Sequence, residues 1–319
     1  MQRLEIVCFC RIRLLSAVVL GLCAVSGPAG VGAEEPARKY ELRYCFHTGA
    51  SVDYTVENRA QIEVEQSEAQ QQVEHSEITH KHFRVVSTDV DGNGTLELMI
   101  DRVQMQASVD GETPITYDSS ADEQPPAQFL GIAETIGKPL ARITVSPMGE
   151  LLDMKWLLPD QQGALPAKAD GGTLDILVSM PEGPVAVGET WKQRFETEVL
   201  VDQKLRKTVT LLRTYRLAGV ENDRATIELQ TAVITPLHDP AQEAQLIQKT
   251  PNGTIEFDLK RGVMLSRATA VDREVVGFNG GKSRIRNKTT RSENLVEQGV
   301  KSAAAKPVRT AQEPGPVPR

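Results

Sequence analysis

Apolar and polar residues alternate along most of the chain, which is the period-two pattern of β-strands. In the first half, Val52 and Tyr54 lie between polar neighbours, and Val209 and Tyr215 do so in the second half. Each strand therefore has one apolar side and one polar side. Strands of this kind are typical of antiparallel sheets with one buried face and one solvated face.

The parity of the apolar positions changes within one predicted strand. Apolar residues occupy even positions up to Ile100 and odd positions from Val103 onward. A one-residue change of parity moves the apolar side to the other face unless an extra residue is accommodated. The sequence therefore predicts a β-bulge near Asp101 and Arg102.

Two short helices are predicted to interrupt the strands. Phe129, Ile132 and Ile136 recur at helical spacing after a pair of prolines. In the second half, Asp239 is suited to cap a helix that begins at Pro240, because proline is tolerated at the first helical position.

The order β-β-β-α-β-β occurs in both halves, with hairpin turns at Met148–Gly149 and Arg261–Gly262, so an internal duplication is predicted. Chance alignment of two β-rich segments is the alternative.

We expect an α+β protein, mostly antiparallel β, built from two related curved-sheet units with one short helix in each. The predicted boundaries are a signal peptide (1–33), a first unit (34–158), a Pro/Gly-rich connection (159–184), a second unit (185–296) and a disordered tail (297–319).

The N-terminus has the features of a secretory signal peptide. Arg3, Arg11 and Arg13 precede an apolar run over residues 14–25, and residues 31–33 resemble a cleavage site. The run is shorter than the roughly 18 residues that a membrane span requires. We expect cleavage after Ala33 and a secreted or periplasmic protein that is not transmembrane after signal removal. Lipidation at Cys23 is a lesser alternative, because the preceding Leu22 fits lipoprotein processing poorly.

Charge and cysteine content narrow the classes of partner. Lys and Arg number 36 against 43 Asp and Glu, a net charge of −7, which disfavours nucleic acid. Three of the four cysteines lie in the predicted signal peptide, so Cys45 has no partner for an internal disulfide. Cys45 alternates with Tyr44 and Phe46 in a predicted strand, and we interpret it as structural.

Three segments carry a resemblance to a known family: Val187–Trp191, Asp239–Leu246 and Val275–Phe278. They resemble segments of a family of secreted β-rich proteins that is frequent in planctomycete-type bacteria, over about residues 40–296. The family has no known activity, so the resemblance implies a secreted β-rich fold and assigns no site.

The segment Asp89-Val90-Asp91-Gly92-Asn93-Gly94 matches the start of a calcium-binding loop. Asp89, Asp91 and Asn93 would be the weak candidate ligands, but Ile100 occupies the twelfth position, where a bidentate Glu is required. Asp-Gly and Asn-Gly are also favoured in hairpin turns, since they tolerate positive φ. We therefore predict a turn between two strands and no metal site.

Histidines 75, 80 and 82 form the one sequence cluster of that residue. On a strand, His80 and His82 share a face and could reach one metal ion. No third or fourth ligand is evident nearby in sequence, so a solvated strand surface is the preferred interpretation.

Four cations alternate along a late predicted strand: Lys282, Arg284, Arg286 and Lys288. We name these residues the basic stripe. It could contact anions such as an acidic polymer of the cell envelope. The preferred interpretation is an edge strand that its charges protect from aggregation.

No sequence motif of a common enzyme class is present, neither a nucleophile elbow, a zinc-protease motif, a phosphate-binding loop nor a dinucleotide fingerprint. We expect a non-catalytic protein without a cofactor. Its partner is unknown from sequence, and an apolar ligand or lipid bound by a curved sheet is the first hypothesis. A structural or adhesive envelope component that uses the basic stripe is the alternative, and a hydrolase is the least favoured.

Overall fold

Fourteen strands and two short helices make up the part of the chain that the computed structural model describes, residues 38–158, 177–201 and 205–297. The predicted signal peptide, residues 159–176 of the predicted connection and the predicted tail from residue 298 lie outside the described residues. Within the described ranges, no helix combines the length and the hydrophobicity needed to cross a membrane.

The strands and helices are bounded as follows. In the first half, the elements are β1 (Lys39–Tyr40), β2 (Ser51–Gln66), β3 (Ala69–Thr88), β4 (Gly94–Val109), β5 (Ile115–Asp118), α1 (Leu130–Ala133), β6 (Pro139–Val145) and β7 (Leu151–Trp156). In the second half, they are β8 (Val185–Ala186), β9 (Thr190–Leu200), β10 (Arg206–Glu221), β11 (Arg224–Val233), α2 (Pro240–Leu246), β12 (Asn252–Asp258), β13 (Val263–Val276) and β14 (Ser283–Leu295).

Twelve of these strands form one antiparallel sheet with strands from both halves. The order is β7-β6-β4-β3-β2-β14-β13-β12-β11-β10-β9, and β5 pairs with β4. Strand β14, the last along the chain, pairs with β2 from Ser283–Gln66 to Leu295–Tyr54. The short strands β1 and β8 form a separate two-stranded sheet. The expected α+β class, mainly antiparallel β, is confirmed.

The predicted bulge is confirmed in the pairing of β3 with β4. His80 lies opposite Arg102 while Lys81 lies opposite Ile100, so Asp101 is the extra residue. The bulge keeps apolar residues on the buried face on both sides of the parity change, since Val103 is fully buried.

The predicted cap of the second helix is also confirmed. The Asp239 carboxylate accepts a hydrogen bond of 2.9 Å from the backbone N–H of Ala241, and Pro240 is the first helical residue. The bond satisfies a backbone donor that has no partner within the helix.

Residues 41–47 depart from the prediction, because they are extended but form no strand. Their backbone bonds instead to two hairpin turns of the large sheet, the β6–β7 turn and the β12–β13 turn. The N–H of Tyr44 donates to the carbonyl of Pro147 at 2.8 Å, and that of Cys45 donates to the carbonyl of Gly262 at 3.0 Å. The alternation correctly predicts that Leu42 and Tyr44 are buried. The prediction that this segment pairs as a strand is wrong. We name residues 38–47 the N-terminal segment.

The N-terminal segment lies inside the curve of the sheet. Tyr44 packs edge-on against Phe257 of β12, with ring centroids 5.2 Å apart, and its hydroxyl accepts a hydrogen bond of 2.9 Å from the N–H of Val178. One apolar core joins residues of β2, β3, β4 and β6 to residues of β10, β11 and β12. Both ends of the sheet therefore curve around the same interior.

The basic stripe does not lie on an edge strand, so that interpretation is wrong. β14 is hydrogen-bonded to β13 on one side and to β2 on the other, and the outermost strands are β7 and β9. Its cations therefore do not protect a free sheet edge.

Candidate ligand-binding site

A cavity of about 470 Å³ lies between the N-terminal segment, the beginning of β2, the end of β3 and the turn that joins β12 to β13. Most of its wall is apolar or aromatic. The main contributors are Tyr44, Phe46, Tyr54, Phe83, Leu96 and Leu295. Alternation explains the part of this wall that the strands supply, because Tyr54, Phe83 and Leu96 occupy the buried side of their strands.

The aromatic wall is held by contacts among its own members. Tyr44 stacks on Phe46 with ring centroids 6.0 Å apart, and Tyr54 meets Phe83 edge-on at 6.3 Å. The Tyr54 hydroxyl donates a hydrogen bond of 2.9 Å to the carbonyl of Met264. Burial raises the pKa of both tyrosines well above the ordinary value of the phenol, so both hydroxyls stay protonated.

A group of charged side chains, which we name the buried ion cluster, lies beside the aromatic wall on the same face. It consists of Lys81, Arg267 and Glu293. Glu293 Oε1 lies 2.6 Å from Lys81 Nζ, and its Oε2 lies 2.6 Å from an Arg267 nitrogen. The Lys81 ammonium also lies 5.3 Å from the centre of the Phe83 ring. The opposite charges of this cluster therefore neutralise one another inside the fold.

The pKa values of the buried ion cluster reflect a balance between burial and charge. Burial alone would raise the pKa of Glu293, but Arg267 and Lys81 outweigh it and lower the value to about 2. Burial lowers the pKa of Lys81, and the neighbouring Glu293 offsets part of that effect. Glu293 is accordingly an anion at neutral pH.

The mouth of the cavity is polar and positively charged. Lys260 and Arg261 lie in the turn between β12 and β13, where they are exposed, and His47 faces them from the N-terminal segment. Within the described ranges, neither Lys260 nor Arg261 has a carboxylate within 4 Å. The arrangement suits a molecule with an apolar body and an anionic end.

A second cleft, of about 700 Å³, lies where the two ends of the sheet approach each other. It is bordered by the hairpin of β6 and β7, by residues 177–182 and by β9. Trp191 and Phe195 line it together with Arg194, Arg213 and Glu150. Because charged groups alternate with the aromatic ones, this cleft is less suited to an apolar body than the cavity.

The candidate calcium ligands lie in the turn between β3 and β4, as predicted. Asp89 Oδ1 accepts hydrogen bonds of 2.9 Å from the N–H groups of Asp91 and Asn93, and Asp89 Oδ2 accepts one of 2.8 Å from the Asn93 side chain. The side-chain bond from Asn93 is the main cause of the lowered pKa of Asp89. These bonds engage both carboxylate oxygens in closing the turn.

The three histidines of the sequence cluster have different neighbours. His75 lies 3.7 Å from Glu77, the Nδ1 of His80 lies 3.2 Å from the Thr55 hydroxyl, and the Nδ1 of His82 lies 2.7 Å from Asp101 Oδ2. They therefore do not converge on one point.

The arginines of the basic stripe are paired with carboxylates of neighbouring strands. Arg284 bonds to Glu65 of β2, and Arg286 lies 3.2 Å from Asp272 of β13. For Lys282 and Lys288, no carboxylate within 4 Å is found among the described residues. No contact of the arginines favours a role in binding an external anion, and that role stays a prediction.

Comparison with known proteins gives distant similarity to solved structures and no match in sequence. No family model and no curated protein matches the chain. Among solved structures, the chain is similar to one of lipovitellin, described as showing lipid–protein interactions, with a TM-score of 0.45 and 11% identity. The similarity covers 82% of this chain and 26% of the lipovitellin chain, so this chain spans about a quarter of that protein. A similarity at this level assigns no function.

Proposed function

We propose that this chain is an exported, non-catalytic protein that binds one apolar or amphipathic small molecule, such as a lipid with a single acyl chain. The cavity of about 470 Å³ behind the N-terminal segment is the observation that carries the proposal. Its volume falls within the roughly 300–1,000 Å³ of pockets that hold one small molecule. A ligand of that size is a single molecule and not a bulk lipid cargo.

The chemistry of the wall supports an apolar ligand. Removing apolar surface from water stabilises a complex by about 25 cal/mol for each Å² buried. The apolar side chains that line the cavity, among them the half-buried Phe46 and Val52, supply such surface. The exposed cations Lys260 and Arg261 at the mouth favour a ligand whose polar end is a carboxylate or phosphate.

Mass spectrometry of an organic extract tests the proposal directly. Protein purified from the expressing cells should yield a co-purifying amphiphile in a molar ratio close to one. The protein should also bind a fluorescent fatty acid after the extract has been removed. An empty extract together with no saturable fatty-acid binding would contradict the proposal.

Filling the cavity should abolish binding. Val52 of β2 lines the cavity and lies opposite Phe83 on the buried side of the sheet, so Val52→Trp places an indole in the space that the ligand would occupy. We expect fatty-acid affinity to fall by about one order of magnitude, since overpacking costs about 1–3 kcal/mol and each 1.4 kcal/mol is tenfold in affinity. Fluorescence titration measures the change.

The matched control is Val276→Trp, at the end of β13 and outside the cavity lining, where the side chain is 61% exposed. This variant should bind as the unmodified protein does. Circular dichroism should show that both variants fold. Equal affinity of the two variants would place the ligand elsewhere.

Removing the cations at the mouth should discriminate between ligands by charge. In the double variant Lys260→Ser, Arg261→Ser, affinity for a fatty acid should fall severalfold, because an exposed charge pair contributes about 0.2–1 kcal/mol. Affinity for the corresponding fatty alcohol should not change. The difference should shrink at high salt, which screens exposed charges. Lys282→Ser, in the basic stripe, serves as the control, and an equal loss for acid and alcohol would exclude a role for charge.

A further inference from the structure

Three residues from neighbouring strands converge on the outer face of the sheet, away from the buried ion cluster. They are Asp53 of β2, His82 of β3 and Asp101, the bulged residue of β4. Each offers one ligand atom, and these atoms all lie within 4.8 Å of one another. Asp53 lies directly opposite His82 in the pairing of β2 with β3, and His82 Nδ1 lies 2.7 Å from Asp101 Oδ2.

The bulge is what brings the third residue to the group. Met99 is the residue directly opposite His82 in the pairing of β3 with β4. Asp101 reaches His82 because it is the extra, unpaired residue between Ile100 and Arg102. Bulges commonly redirect a side chain in this way beside functional sites.

The arginines nearest in sequence are committed to other carboxylates. Arg84, two residues after His82, bonds to Glu97. Arg102, which follows Asp101, lies 2.7 Å from Asp118. Neither arginine therefore neutralises the group.

The two aspartates consequently have no strong cation to balance them. Among residues 38–158, 177–201 and 205–297, neither Asp53 nor Asp101 has a Lys or Arg within 4 Å. The imidazole of His82 is the basic group that the described strands place beside both of them. Two carboxylates held this close repel each other, and a bound cation would relieve the repulsion.

We propose that Asp53, His82 and Asp101 bind one divalent transition metal ion, for which zinc is the best fit. Zinc accepts imidazole nitrogen together with carboxylate oxygen, whereas calcium and magnesium prefer oxygen ligands alone. Three protein ligands leave a fourth position for water or an external ligand. The exposed side chain of Asp101 keeps that position accessible to solvent.

The metal site is independent of the proposed ligand-binding function, although Asp53 also borders the mouth of the cavity. The two can be measured separately in the same variants. Loss of metal binding with intact fatty-acid binding, or the reverse, shows which of the two proposals fails.

Isothermal titration of the full chain with zinc chloride tests the metal site. The unmodified protein should bind with a saturable site that is lost, or weakened at least about tenfold, in Asp53→Asn and in His82→Gln. Tenfold is a lower bound for the loss of zinc affinity, because even residues that only hydrogen-bond to a metal ligand contribute about 10–100-fold to affinity. Zinc should also raise the melting temperature of the unmodified protein and not that of these variants.

The matched control is His80→Gln, two residues away on the same face and outside the group. It should bind zinc as the unmodified protein does. X-ray absorption should show only nitrogen and oxygen ligands at about 2.0–2.2 Å, which separates this site from binding by the cysteines. Absent saturable binding, unchanged affinity in Asp53→Asn and His82→Gln, or sulfur ligands would each overturn the proposal.

Discussion

Replacing Glu293 by glutamine is expected to lower the free energy of unfolding by about 3–5 kcal/mol. Glu293 is 0% exposed and is the anion that neutralises Lys81 and Arg267, whose side chains are 12% and 3% exposed. Glutamine preserves the shape but removes the negative charge that lies 2.6 Å from each of these two cations. Breaking a buried pair in this way is far more costly than losing a pair on the surface, since the remaining charge stays desolvated. Urea denaturation measures the change.

The matched control is Glu228→Gln, which breaks the pair between Arg216 and Glu228 on the surface. The Glu228 side chain is 42% exposed, so this change should cost no more than about 1 kcal/mol. Lys81→Met should cost less than Glu293→Gln, because Arg267 still balances the carboxylate. If Glu293→Gln proved as mild as Glu228→Gln, the buried ion cluster would contribute no more to stability than a surface ion pair does.

The dependence of folding stability on acid pH provides a second test of the role of Glu293. The pKa of Glu293 is lowered from 4.5 to about 2 in the folded protein. A carboxylate whose folded pKa is depressed stabilises the fold above its unfolded pKa, and that contribution is lost as the pH falls through the folded value. The contribution should therefore be complete above about pH 4.5 and disappear toward pH 2. In Glu293→Gln this part of the acid dependence should be absent.

The features that sequence predicted best depend on residues close together in the chain. The bulge at Asp101 follows from a parity change across a few residues, and the cap at Asp239 follows from the adjacent Pro240. The turn containing Asp89 likewise depends on its own loop. Local backbone preferences are sufficient in each case, so no knowledge of strand order is required.

The sequence does not show which strands lie next to each other, and for this reason it predicts an edge position for the basic stripe. Arg284 and its partner Glu65 are 219 residues apart, and only the pairing of β14 with β2 brings them together. Alternation states which side of a strand is apolar but not which strand lies next to it. The internal duplication stays a prediction, because a similar order of elements in the two halves does not establish a common origin.

The candidate sites likewise combine features that nearby residues predict with features that only the strand pairing establishes. Lys81 has the parity of Phe83 and Val85, so its inward direction was available from the pattern. Its partner Glu293 was not, because the two are joined only through the β14–β2–β3 pairing. His82 was recognised as a metal-ligating residue type, but Asp53 and Asp101 required the register of three strands.

Replacing Gly149 by alanine is the second change with a large expected effect, about 2–5 kcal/mol of unfolding free energy. Gly149 lies in the turn between β6 and β7 with φ +77°, where alanine costs about 1–2 kcal/mol. A Cβ at this position would also lie 2.3 Å from the backbone carbonyl oxygen of Val178 and 3.0 Å from the Tyr44 ring. Forcing atoms into a filled interior costs a further 1–3 kcal/mol or so. Chemical denaturation measures the sum.

Gly111→Ala separates the two causes, because Gly111 has φ +73° and a Cβ there would meet nothing within 4 Å. That variant should lose only the backbone part, about 1–2 kcal/mol. The excess in Gly149→Ala reports how rigidly Val178 and Tyr44 are held against the turn. Because Tyr44 also forms part of the cavity wall, Gly149→Ala should weaken fatty-acid binding, whereas Gly111→Ala should not. Equal destabilisation by the two substitutions would mean that residues 177–180 move aside freely, and the wall of the cavity would then be too compliant to select a ligand by shape.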